Sequence, residues 1–88
     1  MKKIKFSGRE AAVLRAIDFS LGASGGEIIE RTHIEPNEAL EILHGLMDTG
    51  YVETPSMVER INPGAFVNTV FEVNPAYAHD LREALKRI

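Results

Sequence analysis

Apolar residues recur at helical spacing after two similar helix starts in the first part of the chain. At Ser7 and again at Ser24, a serine is followed three residues later by glutamate, the spacing of a capping box that satisfies free backbone N–H groups in a first helical turn. The first of these helices is predicted to end at Gly22 and the second at about Thr32. Their predicted apolar positions are Val13, Leu14, Ile17 and Leu21 in the first helix, and Ile28 and Ile29 in the second.

Two further helices are predicted to begin with proline, which suits the first helical position because its missing N–H has no partner there. The third helix starts at Pro36, after Glu35, and is stopped by Gly50, while the fourth starts at Asn74-Pro75. The predicted apolar stripes are Ala39, Ile42, Leu43 and Leu46 in the third helix, and Tyr77, Leu81, Leu85 and Ile88 in the fourth.

Between the third and fourth helices the spacing changes from helical to alternating. Segments 51–61 and 66–73 are rich in β-branched and aromatic residues, and the turn sequence Asn62-Pro63-Gly64-Ala65 separates them. In the second segment, one face carries Val67, Thr69, Phe71 and Val73, and the other carries Asn68, Val70 and Glu72. This pattern predicts a β-hairpin, so the fold class is α+β. The residues predicted to be buried are Leu14, Ile17, Ile29, Ile42, Leu43, Leu46 and Phe71.

Composition narrows the class of protein. The chain has 88 residues, 44% hydrophobic and 26% charged, which is typical of a globular protein and predicts a single domain over residues 1–88. Its apolar runs are far shorter than the roughly 20 residues that cross a bilayer. The basic N-terminus lacks the apolar stretch of a signal peptide, which predicts a cytoplasmic protein without membrane contact. The absence of cysteine excludes disulfides and cysteine-ligated metal sites.

The net charge of −3 is unevenly distributed along the chain. Residues 1–26 carry +3, residues 27–59 carry −7, and residues 60–88 carry +1. No lysine or arginine lies between Arg31 and Arg60. Both ends of the sequence are therefore suited to a polyanion, and the middle repels one.

The stretch from Gly26 to Glu53 resembles the helix-turn-helix and first wing strand of the winged-helix family. Ile34 matches the apolar position of the turn, and residues 46–52 match the family's Leu-x-x-x-Gly-(Leu/Tyr)-(Val/Ile) ending of the recognition helix. The resemblance extends over about residues 6–88. It implies a three-helix core with a two-stranded β-wing and a C-terminal fourth helix, and a small DNA-binding transcriptional regulator.

The resemblance also implies where double-stranded DNA would bind. On the third helix, the positions opposite the apolar stripe are Asn37, Glu41, His44 and Asp48, flanked by Leu40 and Gly45. The candidate nucleic-acid-binding residues are Asn37, Glu41 and His44 on that helix, Arg60 and Asn62 at the wing tip, Asn68 on the return strand, and Lys2, Lys3 and Lys5 at the N-terminus.

Two alternatives accompany this interpretation. The face of the third helix with Asn37, Leu40, Glu41 and His44 also suits the alternative of a winged-helix module that binds a protein partner instead of DNA. The apolar stripe of the fourth helix is the candidate homodimer interface, with Tyr77, Leu81, Leu85 and Ile88 as its residues. Catalysis, a metal and a cofactor are not expected, because His33, His44 and His79 have no metal-ligand spacing and no nucleotide-binding glycine motif is present.

Overall fold

Helices and short strands make up most of residues 6–55 and 60–86, the part of the chain that the computed structural model describes. The α-helices there are α1 (Gly8–Ala16), α2 (Gly25–Thr32), α3 (Pro36–Asp48) and α4 (Ala78–Lys86). The strands are β1 (Ala23–Ser24), β2 (Val52–Glu53) and β3 (Val70–Val73), and two 3₁₀ helices, Pro63–Asn68 and Pro75–Tyr77, precede β3 and α4. The predicted α+β class is confirmed.

The three strands form one antiparallel sheet with β3 in the centre, in the order β1-β3-β2. Ala23 of β1 pairs with Phe71, and Val52 of β2 pairs with Val73. Phe71 and Val73 are buried while Val70 is exposed, so one face of β3 packs on the core. The sequence pattern did not predict β1, which has only two residues.

Both predicted capping boxes form. The backbone N–H of Ser7 donates to the Glu10 carboxylate, and the Glu10 N–H donates to the Ser7 hydroxyl. Ser24 and Glu27 exchange the same two hydrogen bonds at the start of α2. Residues 33–35 join α2 to α3, and His33 takes the left-handed conformation that ends α2.

Helix α1 ends earlier than the sequence pattern predicts. It stops at Ala16, and the next residues form a turn in which the Asp18 carboxylate accepts the backbone N–H groups of Ser20 and Leu21. An aspartate that satisfies these donors favours a turn over another helical turn. Leu21, predicted to extend the apolar stripe, is instead 80% exposed. Gly22, the predicted helix end, closes this turn with a positive φ.

The buried face of α3 is rotated from the predicted one. Leu40, expected to flank the stripe, is buried, whereas Ile42 is only partly buried. The buried residues of α3 are Ala39, Leu40, Leu43 and Leu46. The helix has the predicted start at Pro36, and Gly50, with a positive φ, follows its end.

The predicted hairpin is correct in its pairing and wrong in its extent. β2 and β3 pair, but the Asn62–Ala65 turn sequence begins a 3₁₀ helix that extends through Asn68. The Asn62 side chain caps this helix by accepting the Gly64 N–H, and Pro63 fits its first position while lacking a donor for a strand ladder. Val67, predicted to share a face with Phe71, is therefore 58% exposed. Residues 56–59 of the first predicted strand lie outside the described residues.

One apolar core joins these elements. Five of the seven residues predicted to be buried are buried, and Ile29 and Ile42 are partly buried and pack against the others. The fourth predicted helix start is confirmed, because the Asn74 side chain accepts the Ala76 N–H and α4 follows the short 3₁₀ helix directly. Within the described ranges, no helix is both long and apolar enough to cross a membrane.

Candidate nucleic-acid interface

The outer face of α3 carries acidic and uncharged residues. Asn37, Glu41, Gly45 and Asp48 are exposed there, as the predicted groove-facing positions should be. His44, the remaining member of that face, is only half-buried and is engaged by another part of the chain. Helix α3 itself has no basic residue, so any positive charge on this face must come from another segment.

That charge comes from Arg60. One guanidinium nitrogen of Arg60 lies 3.0 Å from Nδ1 of His44. The next residue, Ile61, donates its backbone N–H to Nε2 of His44 at 2.9 Å. Because the Ile61 side chain is buried in the core, this backbone is fixed against α3. The structure therefore brings together two predicted site residues, His44 and Arg60, that are 16 positions apart in the sequence.

The surroundings of His44 disfavour its charged form. Partial burial and the neighbouring positive charge of Arg60 lower the pKa of the imidazole below its usual value. The carboxylates of Asp48 and Glu41 act in the opposite direction but do not outweigh them. The neutral form of the ring is therefore favoured at pH 7.

The other described arginines also make intramolecular contacts. Arg9 forms an ion pair with Glu38 of α3. The remaining contacts are those of Arg15 with the Leu85 carbonyl, Arg31 with Glu27 and the Ala16 carbonyl, and Arg82 with the Phe19 ring. The exposed ones among these contacts are worth about 0–1 kcal/mol, so a polyanion can compete for the arginines that make them. The contacts of these arginines nevertheless lie in separate parts of the fold.

The other predicted nucleic-acid contacts are scattered. Asn62 is exposed, and its side-chain oxygen is used in the cap of the 3₁₀ helix. Asn68 is exposed but lies at the end of that 3₁₀ helix, so its predicted place on the return strand is wrong. Lys2, Lys3 and Lys5 lie outside the described residues.

The apolar stripe of α4 that was predicted as a dimer interface is largely buried within the single chain. Leu81 is completely buried and Leu85 is half-buried, since α4 completes the core. Tyr77 is 37% exposed and packs edge-on against Tyr51, with ring centroids 5.2 Å apart. Ile88 lies outside the described residues. Self-association stays a prediction, with Tyr77 as its most accessible residue among those described.

Two surface features were missed by the sequence analysis. Leu21 and Val67 are large apolar side chains exposed to solvent, because a turn and a 3₁₀ helix replace the predicted helix and strand. Glu53 and Glu72 are directly opposite each other on β2 and β3 and line a shallow pocket with Phe19. The alternating pattern of the two strands could have revealed the glutamate pair, but only if the ends of both strands had been predicted correctly.

Within the described part of the chain, no three histidine, aspartate or glutamate side chains are grouped as metal ligands would be. Searches of family models, curated protein sequences and solved structures found no match to this chain.

Proposed function

We propose that this protein is a winged-helix DNA-binding protein, a small transcriptional regulator, whose principal contact with the DNA backbone is Arg60. The observation that carries the proposal is the guanidinium of Arg60 beside His44 on the outer face of α3. This placement gives the proposed recognition helix a cation that its own sequence lacks. Phosphate contacts by arginine supply affinity and set the position of a protein on a duplex.

The order and connection of the elements support a winged-helix architecture. Helices α2 and α3 are separated by three residues, and α3 leads into β2, which pairs with β3. In the proposed arrangement, α3 is the recognition helix and the segment between β2 and β3 is the wing. The 3₁₀ helix Pro63–Asn68 forms the second half of that wing, where a longer strand was expected.

The acidic residues on α3 limit the kind of binding that this arrangement can give. Glu41 and Asp48 repel phosphate, although a glutamate can accept a hydrogen bond from cytosine N4 in the major groove. We therefore expect affinity to come from Arg60 and the basic ends of the chain and to depend strongly on salt. Binding to a mixed-sequence duplex should weaken by at least about tenfold between 50 and roughly 200 mM salt.

Single substitutions test this assignment. Arg60→Ala should weaken binding to all duplexes, as loss of a phosphate contact does, whereas Glu41→Ala should leave binding unchanged or tighten it. Arg82→Ala is the matched control, because it removes the same charge from an arginine that stacks on Phe19. Fluorescence anisotropy with a labelled duplex measures all four proteins. Wild-type protein that does not bind at 50 mM salt would contradict the proposed function.

A second candidate function is supported by the charge of the α3 face itself. Asn37, Glu41 and Asp48 are exposed on a helix without any basic residue, which complements a basic protein surface better than a phosphate backbone. The double substitution Glu41→Gln with Asp48→Asn should change the binding of DNA and the binding of a basic partner in opposite directions. It should strengthen retention on duplex DNA if the chain binds DNA, and weaken retention on immobilised polylysine if the face binds a basic partner. Glu83→Gln, which removes one half-buried charge on α4 that is paired with Lys86, is the control.

A further inference from the structure

His44 is held between two hydrogen-bond donors. The backbone N–H of Ile61 is 2.9 Å from Nε2, and a guanidinium nitrogen of Arg60 is 3.0 Å from Nδ1. A neutral imidazole has one nitrogen that accepts and one that carries a proton, and a charged imidazole has no acceptor. The ring can therefore accept a hydrogen bond from only one of these two donors.

The backbone donor decides which nitrogen accepts. Ile61 is buried, so its N–H cannot turn to water without moving a core residue, and an unpaired buried donor costs about 1–3 kcal/mol. The Arg60 side chain is exposed and can satisfy its N–H groups with solvent. Nε2 is thus the acceptor for Ile61, and the proton of the neutral ring is on Nδ1. Nδ1–H and the guanidinium of Arg60, with nitrogens 3.0 Å apart, are then two adjacent donors that cannot hydrogen-bond to each other.

We infer that Nδ1–H of His44 and the guanidinium of Arg60 together bind one anionic phosphate oxygen. Such an oxygen accepts from both donors at once and relieves their mutual repulsion. The inference rests on the proposed function, since it names the site that would hold a DNA phosphodiester. The same donor pair also suits free inorganic phosphate, so the experiment includes both ligands.

The charged groups around the ring determine the strength of this site. Glu41 and Asp48 lie one turn to either side of His44 on α3 and oppose an anion, while Arg60 attracts it. The 3₁₀ helix Pro63–Asn68, which also contacts α3, has no titratable side chain. A single phosphate should therefore bind weakly, and a duplex should bind more tightly because other phosphates reach other cations.

The hydrogen bond from the Ile61 N–H to His44 determines how phosphate binding should depend on pH. A histidine that binds phosphate as an imidazolium loses affinity as pH rises above about 6.5. Here the ring donates through Nδ1–H while neutral, so binding of a phosphodiester, whose charge is constant in this range, should change little between about pH 7 and 8.5. Below that range a second proton would remove the acceptor for Ile61 and separate the segment at residue 61 from α3.

Nitrogen-15 NMR of the histidine rings in the full chain tests the first step. Nδ1 of His44 should have the shift of a protonated nitrogen and Nε2 that of an unprotonated acceptor. His79, an exposed histidine on α4, supplies the reference signals. The opposite tautomer at His44 would overturn the inference before any ligand is added.

Titration with inorganic phosphate and then with a mixed-sequence duplex tests the second step. Each ligand should shift the Nδ1 signal of His44, and Arg60→Gln should weaken phosphate binding by about tenfold, as expected for a lost charged hydrogen bond. Arg82→Gln and His79→Gln are the matched controls and should leave it unchanged. His44→Phe, which offers neither donor nor acceptor, should also lose binding, while His44→Gln, which offers both, should keep part of it.

The outcomes separate this site from the proposed function. Duplex binding that survives Arg60→Gln and His44→Phe as well as it survives the controls overturns the site while DNA binding stands. A phosphate-dependent shift of His44 without any duplex binding supports the site and removes DNA as its ligand. If His44→Phe fails to fold, Arg60→Gln decides alone, because it leaves the ring and its bond to Ile61 intact.

Discussion

Gly25 is the position where one added methyl group should disturb the fold most. It is the first residue of α2, it is buried, and its N–H donates to the Thr69 carbonyl at 2.9 Å. A Cβ at this position would overlap with the Phe66 carbonyl oxygen and lie only 2.9 Å from the carbonyl carbon of the same residue. Gly25→Ala therefore forces α2 away from the 3₁₀ helix Pro63–Asn68.

The size of the effect follows from three contributions. The overlap is with backbone, which cannot rotate away, and overpacking of this kind costs about 1–3 kcal/mol. Separation of the two segments also breaks the hydrogen bond from Gly25 to Thr69, worth about 1 kcal/mol. The higher helix propensity of alanine returns at most about 1 kcal/mol. The free energy of unfolding should fall by about 2–3 kcal/mol, a large part of the roughly 4–13 kcal/mol expected for a domain of this length.

Thermal and urea denaturation followed by circular dichroism measure this loss. The melting temperature should fall by about 10–20 °C, given roughly 4–8 °C per kcal/mol for a domain of this size. Gly26→Ala is the adjacent control, since its Cβ would meet the movable Val67 side chain at 3.2 Å. Gly45→Ala is the opposite control, because its Cβ would meet nothing within 4 Å on the exposed face of α3, and it should stabilise by about 0.5–1 kcal/mol.

The comparison among the three glycines is decisive. If Gly25→Ala changes the unfolding free energy by less than about 1 kcal/mol, the close approach of α2 to the 3₁₀ helix is wrong. If Gly25→Ala and Gly26→Ala are equally destabilising, the effect belongs to the start of α2 as a whole and not to the Phe66 carbonyl.

Three further substitutions probe the core, the acid response and self-association. Leu40→Ala should lower the free energy of unfolding, measured by urea denaturation, by about 2–5 kcal/mol and by more than Ile42→Ala does. The reverse order would support the buried helix face that was predicted from the sequence. The Asp18 carboxylate accepts hydrogen bonds from two backbone N–H groups, which lower its pKa. Its stabilising contribution is therefore present at neutral pH and is lost as pH falls below about 4. Asp18→Asn should therefore flatten the decrease in stability below that pH, and an unchanged acid response would count against it. Wild-type protein should sediment as a dimer at tens of micromolar and Tyr77→Glu as a monomer, whereas a monomeric wild type would exclude that interface.

Local signals in the sequence were sufficient for the helix starts. The capping boxes at Ser7 and Ser24 and the prolines at positions 36 and 75 act on residues within one helical turn, so short-range spacing describes them well. The α+β class and the pairing of β2 with β3 followed from the change of spacing. The helix starts depend on contacts between neighbours in the chain, whereas the strand pairing joins distant residues such as Val52 and Val73.

Three features were beyond the sequence pattern, and the last two of them depend on contacts between distant residues. The apolar composition of segment 66–73 suits a strand and a 3₁₀ helix equally, and the Asn62 cap with Pro63 decided between them for the first part. Strand β1 has two residues, too few for any alternation to be visible, and it exists because β3 offers Ala23 and Ser24 a partner. The burial of Leu81 likewise depends on how much of the core the other helices leave open.

The candidate site on α3 depends both on local spacing along the helix and on contacts with distant residues. Successive residues of an α-helix are about 100° apart, so the apolar pattern of α3 leaves positions at the edge of the stripe undecided. Leu40 and His44 are one turn apart at that edge, and the structure gives both of them intramolecular contacts. A residue predicted to read DNA bases thus has one ring nitrogen committed to the Ile61 backbone, and only its other nitrogen can meet a ligand. If α3 enters a groove, base contacts must come from Asn37 and Glu41 nearer its N-terminus, while the His44 end supplies backbone contact together with Arg60.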